Sequence, residues 1–430
     1  PMAASDDELG SALAFDGTRL FVGAIKDDEN GFNSGSVTVF SLDGDGAEFE
    51  VASTVLATDG SALDYFGSSL ALDGDVLAVG AYRDDDGGDD SGSVYLFQRQ
   101  PDGRYLQTQK LGAGDATAQA QFGWSLASAG GALLVGAPGA GDNAGAVYVF
   151  ERGDDGQYVA RDVLRASNGQ PGRSFGSAIA FHGHTMVIGA PGHREAQGRA
   201  GAVYVFRRDG QQNFTQRALL SADEWGPSAR FGSSVGIHDE VIVVGASHAP
   251  VGGPESGAVA VYGPGEAEDY IRTQLLTSNN LAERDLFGAA VAISDELIVV
   301  SATQDDDRAL DGGSAFAFTR SAGGQFVQTA QLNAPDARAR DGFGSELHLS
   351  EGQVFVSSPK DDAAAEDGGA VYGFELNGPI CTDDGQCVCL EGADGLRCAG
   401  RPTCGDGVVQ AAEACDDGEG NRDQCDYGEQ

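Results

Sequence analysis

The chain has 430 residues, 41% of them hydrophobic, which is enough for a core and excludes global disorder. Its net charge of -40 excludes nucleic acid as a partner and disfavours anionic membranes, because both call for a basic surface. It holds no run of about 18 apolar residues, so no membrane insertion is expected in this segment.

Taken from the N-terminus, Pro1-Met2 reads as a remnant ahead of a mature sequence whose leader has been cut away. A repeat then begins. Leu9-Gly10 is a degenerate first copy of a Phe-Gly pair that recurs at 66–67, 122–123, 175–176, 231–232, 287–288 and 343–344. The steps between the glycines are 57, 56, 53, 56, 56 and 56 residues. Thirteen residues after each comes Gly23-Ala24, Gly80-Ala81, Gly136-Ala137, Gly189-Ala190, Gly245-Ala246, Ser301-Ala302 or Ser357-Ser358. An aromatic closes each copy: Phe40, Phe97, Phe150, Phe206, Tyr262, Phe318 and Phe374. A fixed period of this length is the mark of a repeat architecture.

Within a copy the pattern is that of strands. Leu70 and Leu72 alternate, Asp73-Gly74-Asp75 makes a tight turn, Val76 to Val79 form a second strand, and Ser93 to Phe97 a third. A fourth segment, such as Tyr105 to Leu111, follows in six copies. The 65 glycines fit many tight turns. Four short antiparallel strands repeated seven times predict an all-β fold, a seven-bladed β-propeller of four-stranded antiparallel blades over residues 1–378. The missing seventh fourth strand leaves blade 7 either three-stranded or completed by the chain near residues 380–390.

The loop between second and third strands varies most. It carries Asp27, Asp28 and Asn33 in copy 1, and Asp84, Asp85, Asp86 and Asp90 in copy 2. It carries Asp305, Asp306, Asp307 and Asp311 in copy 6, and Asp361, Asp362 and Asp367 in copy 7. Several carboxylates and a glycine within a few residues suit calcium. The competing reading is that these residues cap their own turns. On a closed ring blades 6, 7, 1 and 2 are neighbours, so the acidic loops form one arc of one face. Trp225 and Arg230, between copies 4 and 5, fall on the same face and are the expected anchors of a partner, unless Trp225 packs against a neighbouring loop. The six histidines show no metal-site spacing, and two G-x-S-x-G matches lie inside the Phe-Gly frame, where no strand-to-helix elbow exists. The chain is therefore not expected to be an enzyme.

The last segment, 379–430, holds all seven cysteines, at 381, 387, 389, 398, 404, 415 and 425. Dense cysteine in a small polar tail points to disulfides and an oxidising compartment. With no histidine and no paired C-x-x-C, zinc is disfavoured.

The anchors resemble the FG-GAP repeats of the integrin α-subunit propeller. Phe122-Gly123 with Gly136-Ala137-Pro138, and Phe175-Gly176 with Gly189-Ala190-Pro191, match both halves of the signature, and residues 145–150 and 201–206 match the strand that follows. Calcium-binding integrin repeats carry a long acidic loop between those halves. Here a short turn stands in its place, as in a bacterial variant, so those ligands do not carry over. The run from Cys387 to Cys398 is similar to half an EGF-like module, which implies a Cys389–Cys398 disulfide. The segments beginning at Cys404 and Cys415 resemble cysteine-rich repeats of myxobacterial surface proteins, and the odd cysteine implies that a repeat runs on past Gln430. These resemblances imply a monomeric, non-catalytic adhesion module, secreted or on a bacterial cell surface, with a protein or glycan ligand on the loop face. The alternative is a lectin or polysaccharide-active propeller.

Overall fold

The computed structural model describes residues 4–42, 49–115, 117–169, 172–192, 200–210, 213–226, 228–265, 269–350 and 352–376, with the backbone of four short strands between 380 and 396. Six consecutive sheets each have four antiparallel strands in chain order, and a seventh has three. The innermost strands are Leu9–Phe15, Phe66–Asp73, Ser125–Ala129, Ala178–His182, Val235–His238, Phe287–Ile293 and Leu347–Ser350. Each second strand is almost wholly buried, as in Val76–Ala81, because sheets cover both of its faces. The fourth strands are the outer edges and alternate with solvent, as in Tyr105–Leu111. In all six four-stranded blades the third and fourth strands slip by one residue at the closing aromatic, for example between Leu96 and Phe97. That bulge sharpens the twist each outer strand needs.

The Phe of each Phe-Gly pair is the wedge between blades. Phe66 lies among Val37 and Val39 of blade 1 and Val79, Tyr95 and Phe97 of blade 2. It meets Tyr95 and Phe97 edge-on, at 5.4 and 5.8 Å between ring centres. Phe122, Phe175, Phe231, Phe287 and Phe343 are likewise fully buried. Loss of one such ring costs about 3–5 kcal/mol in a core that cannot collapse.

The junctions are also bound through backbone. Phe66 N donates to Ser34 O, Phe122 N to Ser91 O and Phe287 N to Ser256 O, each at 2.9 Å. The closing junction repeats this bond: Leu9 N donates to Gly368 O at 3.0 Å, flanked by Glu8 N to Asp367 O at 3.1 Å. Blade 7 (Leu347–Ser350, Gln353–Ser358, Ala370–Glu375) therefore meets blade 1 as any blade meets the next, although it lacks a fourth strand among the described residues. In the tail, Ile380–Cys381 pairs with Cys387–Val388 and Glu391–Gly392 with Gly395–Leu396, apart from blade 7. Cys389 and Cys398 lie outside the described residues.

Candidate functional site

The seven inner strands enclose an axial cavity of about 380 Å³. At the residue after the Phe-Gly pair its wall is small in five blades, with Ser68, Ser177, Ser233, Ala289 and Ser345. Two side chains break the pattern. Trp124 stands where the other blades carry Ser or Ala. Glu346 stands where the others carry Ala12, Ser69, Ser125, Ala178, Ser234 and Ala290. Water reaches Glu346, but enclosure by the ring of blades pushes its carboxyl up to about 7.

Trp124 is 40% exposed at the cavity mouth. Its ring meets Tyr82 edge-on at 4.7 Å, and Tyr82 meets Tyr65 at 5.8 Å. The Arg83 guanidinium lies 4.8 Å over Tyr65 and is paired with Asp90 at 3.8 Å. The Tyr65 loop continues to exposed Leu63, whose N–H donates to the carbonyl of Phe32 at 2.8 Å. Phe32 is 65% exposed at the tip of the blade 1 loop. An apolar stripe thus runs from blade 1 to the mouth through the acidic arc. Sequence reasoning missed it; registering the seven copies would have shown Trp124 as the one large residue in its column.

The acidic loops share one construction. The first carboxylate caps the backbone two residues on: Asp27 accepts from Glu29 N, Asp84 from Asp86 N, Asp305 from Asp307 N and Asp361 from Ala363 N. The second caps five residues on: Asp28 accepts from Asn33 N, Asp85 from Asp90 N, Asp306 from Asp311 N and Asp362 from Asp367 N. Asn33, Asp90, Asp311 and Asp367 all take left-handed φ, from 47° to 53°, which short polar side chains tolerate best. Much of the acidity is thus spent on turn structure.

A second acid faces each loop start. Asp7, Asp64, Asp285 and Asp341 precede the Leu-Gly or Phe-Gly pairs of the same four blades, whereas blades 3 and 5 pair Ala120 with Ala140 and Ala229 with Ala249. Burial, with the charge of Asp84 adding, pushes Asp64 up to about 6. Burial, with Asp307 and Asp285 adding, pushes Asp305 to about 6. Asp84 differs. Burial opposes its ionisation, but the Lys110 ammonium, the Tyr95 hydroxyl and the Asp86 amide outweigh that and hold its carboxyl below the usual range.

Of the two readings open for Trp225, the structure shows the packed one. It is 8% exposed, packed edge-on against Phe231 at 5.9 Å with the Arg272 guanidinium over its ring. Its loop turns inward because Ala222 and Ala229 leave room beneath it. Arg230 is exposed on the same face, at the position Tyr65 holds in blade 2, with φ of 56° against 57°.

Two histidines far apart in sequence come together in the fold. Among the described residues, the one group of three metal-ligating side chains within 4.8 Å of one another is His182, His238 and Asp239. The rings stack at 4.6 Å, and Asp239 N donates to His182 Nδ1 at 2.9 Å. Both histidines end inner strands, so they lie on the face opposite the acidic loops. Their separation in sequence equals the repeat step between blades 4 and 5, which puts them side by side on adjacent blades.

These features define a closed seven-bladed β-propeller whose acidic loops, apolar stripe and cavity mouth share one face. A family model described as FG-GAP repeat matches residues 3–40, 50–97, 105–150, 159–206, 214–262, 271–318 and 326–374, and the chain belongs to that family. Comparison with curated proteins finds no match. Among solved structures, the crystal structure of a protein from Lactobacillus plantarum is similar, with a TM-score of 0.53 and 13% identity over 87% of this chain and 95% of that chain. At that identity the likeness shows the fold alone.

Proposed function

We propose that the protein is a non-catalytic binding module displayed outside the cell, and that it grips a protein ligand on the loop face around the cavity mouth. The observation that carries this is the exposed stripe of Phe32, Leu63 and Trp124, with Tyr65 and Tyr82 between them. Aromatic anchors ringed by charge are the usual centre of a protein interface. The rim is acidic, with Asp28, Asp85 and Asp90 beside the stripe, so the complementary surface is apolar at its centre and basic at its edge. The integrin α-like signature supports an adhesive role, and the cysteine-dense tail supports an oxidising, extracellular setting.

The test is an array of purified extracellular proteins and glycans probed with the wild type and with Trp124→Ala. Capture by basic proteins, at least ten-fold weaker for the variant, is the expected result. A sharp glycan hit, or turnover of any arrayed glycan, overturns it in favour of a lectin or an enzyme.

A further inference from the structure

The fold presents one polar constellation twice, with a cation in one copy and none in the other. In blade 2 the Lys110 ammonium is bound by Asp84 Oδ2 at 2.9 Å, Asp86 Oδ2 at 2.5 Å and Asp59 Oδ2 at 2.9 Å. The Tyr95 hydroxyl donates to the same Asp84 Oδ2 at 2.7 Å. Each of these positions has an equivalent in blade 6. Asp305 and Asp307 replace Asp84 and Asp86, Asn280 replaces Asp59, and the strand pairs Tyr95–Lys110 and Phe316–Gln331 occupy the same register.

The substitutions in blade 6 remove both groups that meet the buried oxygen. Phe316 has no hydroxyl, and Gln331 has no charge. Asp305 is 2% exposed, its Oδ1 is spent on Asp307 N, the Ser314 hydroxyl lies beside its carboxyl, and its Oδ2 has no hydrogen-bond partner. A buried carboxylate oxygen without a partner is costly and calls for an explanation. The surrounding atoms are oxygen-rich. Asp307 Oδ2 accepts from Asn280 and Gln331, at 2.5 and 3.0 Å, and Gln331 Oε1 accepts from Asn280 at 3.0 Å. Turned about their terminal bonds, these two amides present oxygens in place of N–H groups.

We infer that blade 6 binds a calcium ion between Asp305 and Asp307, in the place that the Lys110 ammonium fills in blade 2. The ligands are two carboxylates, the amide oxygens of Asn280 and Gln331, and water, a hard-oxygen set that suits calcium. The site lies away from the cavity mouth proposed for the ligand and stands independently of that reading.

The test counts calcium on the full chain. Protein stripped with a chelator is dialysed against calcium at pH 7.5, and the ions per chain are measured with the melting temperature. The wild type should bind calcium and melt higher with it. Asp305→Asn should bind one ion fewer. The pair Phe316→Tyr with Gln331→Lys, which rebuilds the blade 2 arrangement, should also bind one ion fewer, yet melt higher than the wild type in chelator. If Asp305→Asn does not fold, the paired variant alone decides the matter. Absence of bound calcium, or an unchanged count in the paired variant, overturns the inference.

Discussion

At the scale of single residues, the chain buries acid where acid is costly. Asp64 keeps one bond, from Ser61 N at 2.7 Å, and burial drives its carboxyl to about 6. Its folded pKa thus exceeds the unfolded value near 3.8. The folded state holds the proton more tightly, so this group favours folding most below the unfolded value. That contribution is lost as pH rises through the folded value. Asp64→Asn keeps the acceptor for Ser61 and removes the charge. It should be more stable than wild type at pH 7.5 by about 1–3 kcal/mol in urea denaturation, with the gain fading between pH 6 and 4. A gain that persists at pH 4 would show that the carboxylate's charge is not the cause. That Asp64 and Asp84 share one environment was legible in the chain itself, since acid accompanies acid in four blades and alanine accompanies alanine in two. It becomes visible only once the copies are set in register. For Trp225 the chain left packing and an exposed anchor both open, because its burial depends on Ala222 and Ala229 in its own loop and on Arg272 of the next blade's outer strand.

At the scale of elements, the acidic loops show why carboxylate number is a poor guide to metal. Each loop must reverse between two buried strands, and its backbone donors need acceptors that no neighbouring strand supplies. Asp28, Asp85, Asp306 and Asp362 meet that need in the same geometry, at 2.6 to 2.8 Å. Asp28→Ala should cost about 1 kcal/mol, the typical worth of such a cap, and speed amide exchange at Asn33. Asp28→Asn, which keeps the accepting oxygen, should leave both near wild type. If Asn proves as damaging as Ala, charge and not capping is the loop's requirement. The strands themselves were legible from apolar alternation and the Gly-Ala anchors. The stripe on the loop face was not, because Phe32, Leu63 and Trp124 come from three loops that only blade packing sets side by side.

At the scale of the molecule, the number of blades follows from the period, but the means of closure does not. Many rings could close by sharing strands between the two chain ends. This one closes by making its seventh junction like the other six. At each junction a glycine just before the third strand takes a left-handed φ near 85°, and an added Cβ would lie 2.0 to 2.2 Å from the carbonyl of the next blade's Phe, or of Leu9 at the closure. Gly369 is that glycine in blade 7, and Gly145 its counterpart in blade 3. The steric insult of Gly→Ala is therefore the same at both, 2.2 Å against 2.0 Å, while the covalent context differs. Blades 3 and 4 are tied by the chain, whereas blades 7 and 1 are held only by contacts. Self-repulsion from a net charge of -40 also works to open the ring. Gly145→Ala should thus lower stability with exchange raised at its own junction. Gly369→Ala should raise exchange across the whole of blades 1 and 7, more strongly at low salt than at high, because screening weakens the repulsion that parts them. Equal, local and salt-independent exchange in the two variants would show that the ring holds together without its closing junction.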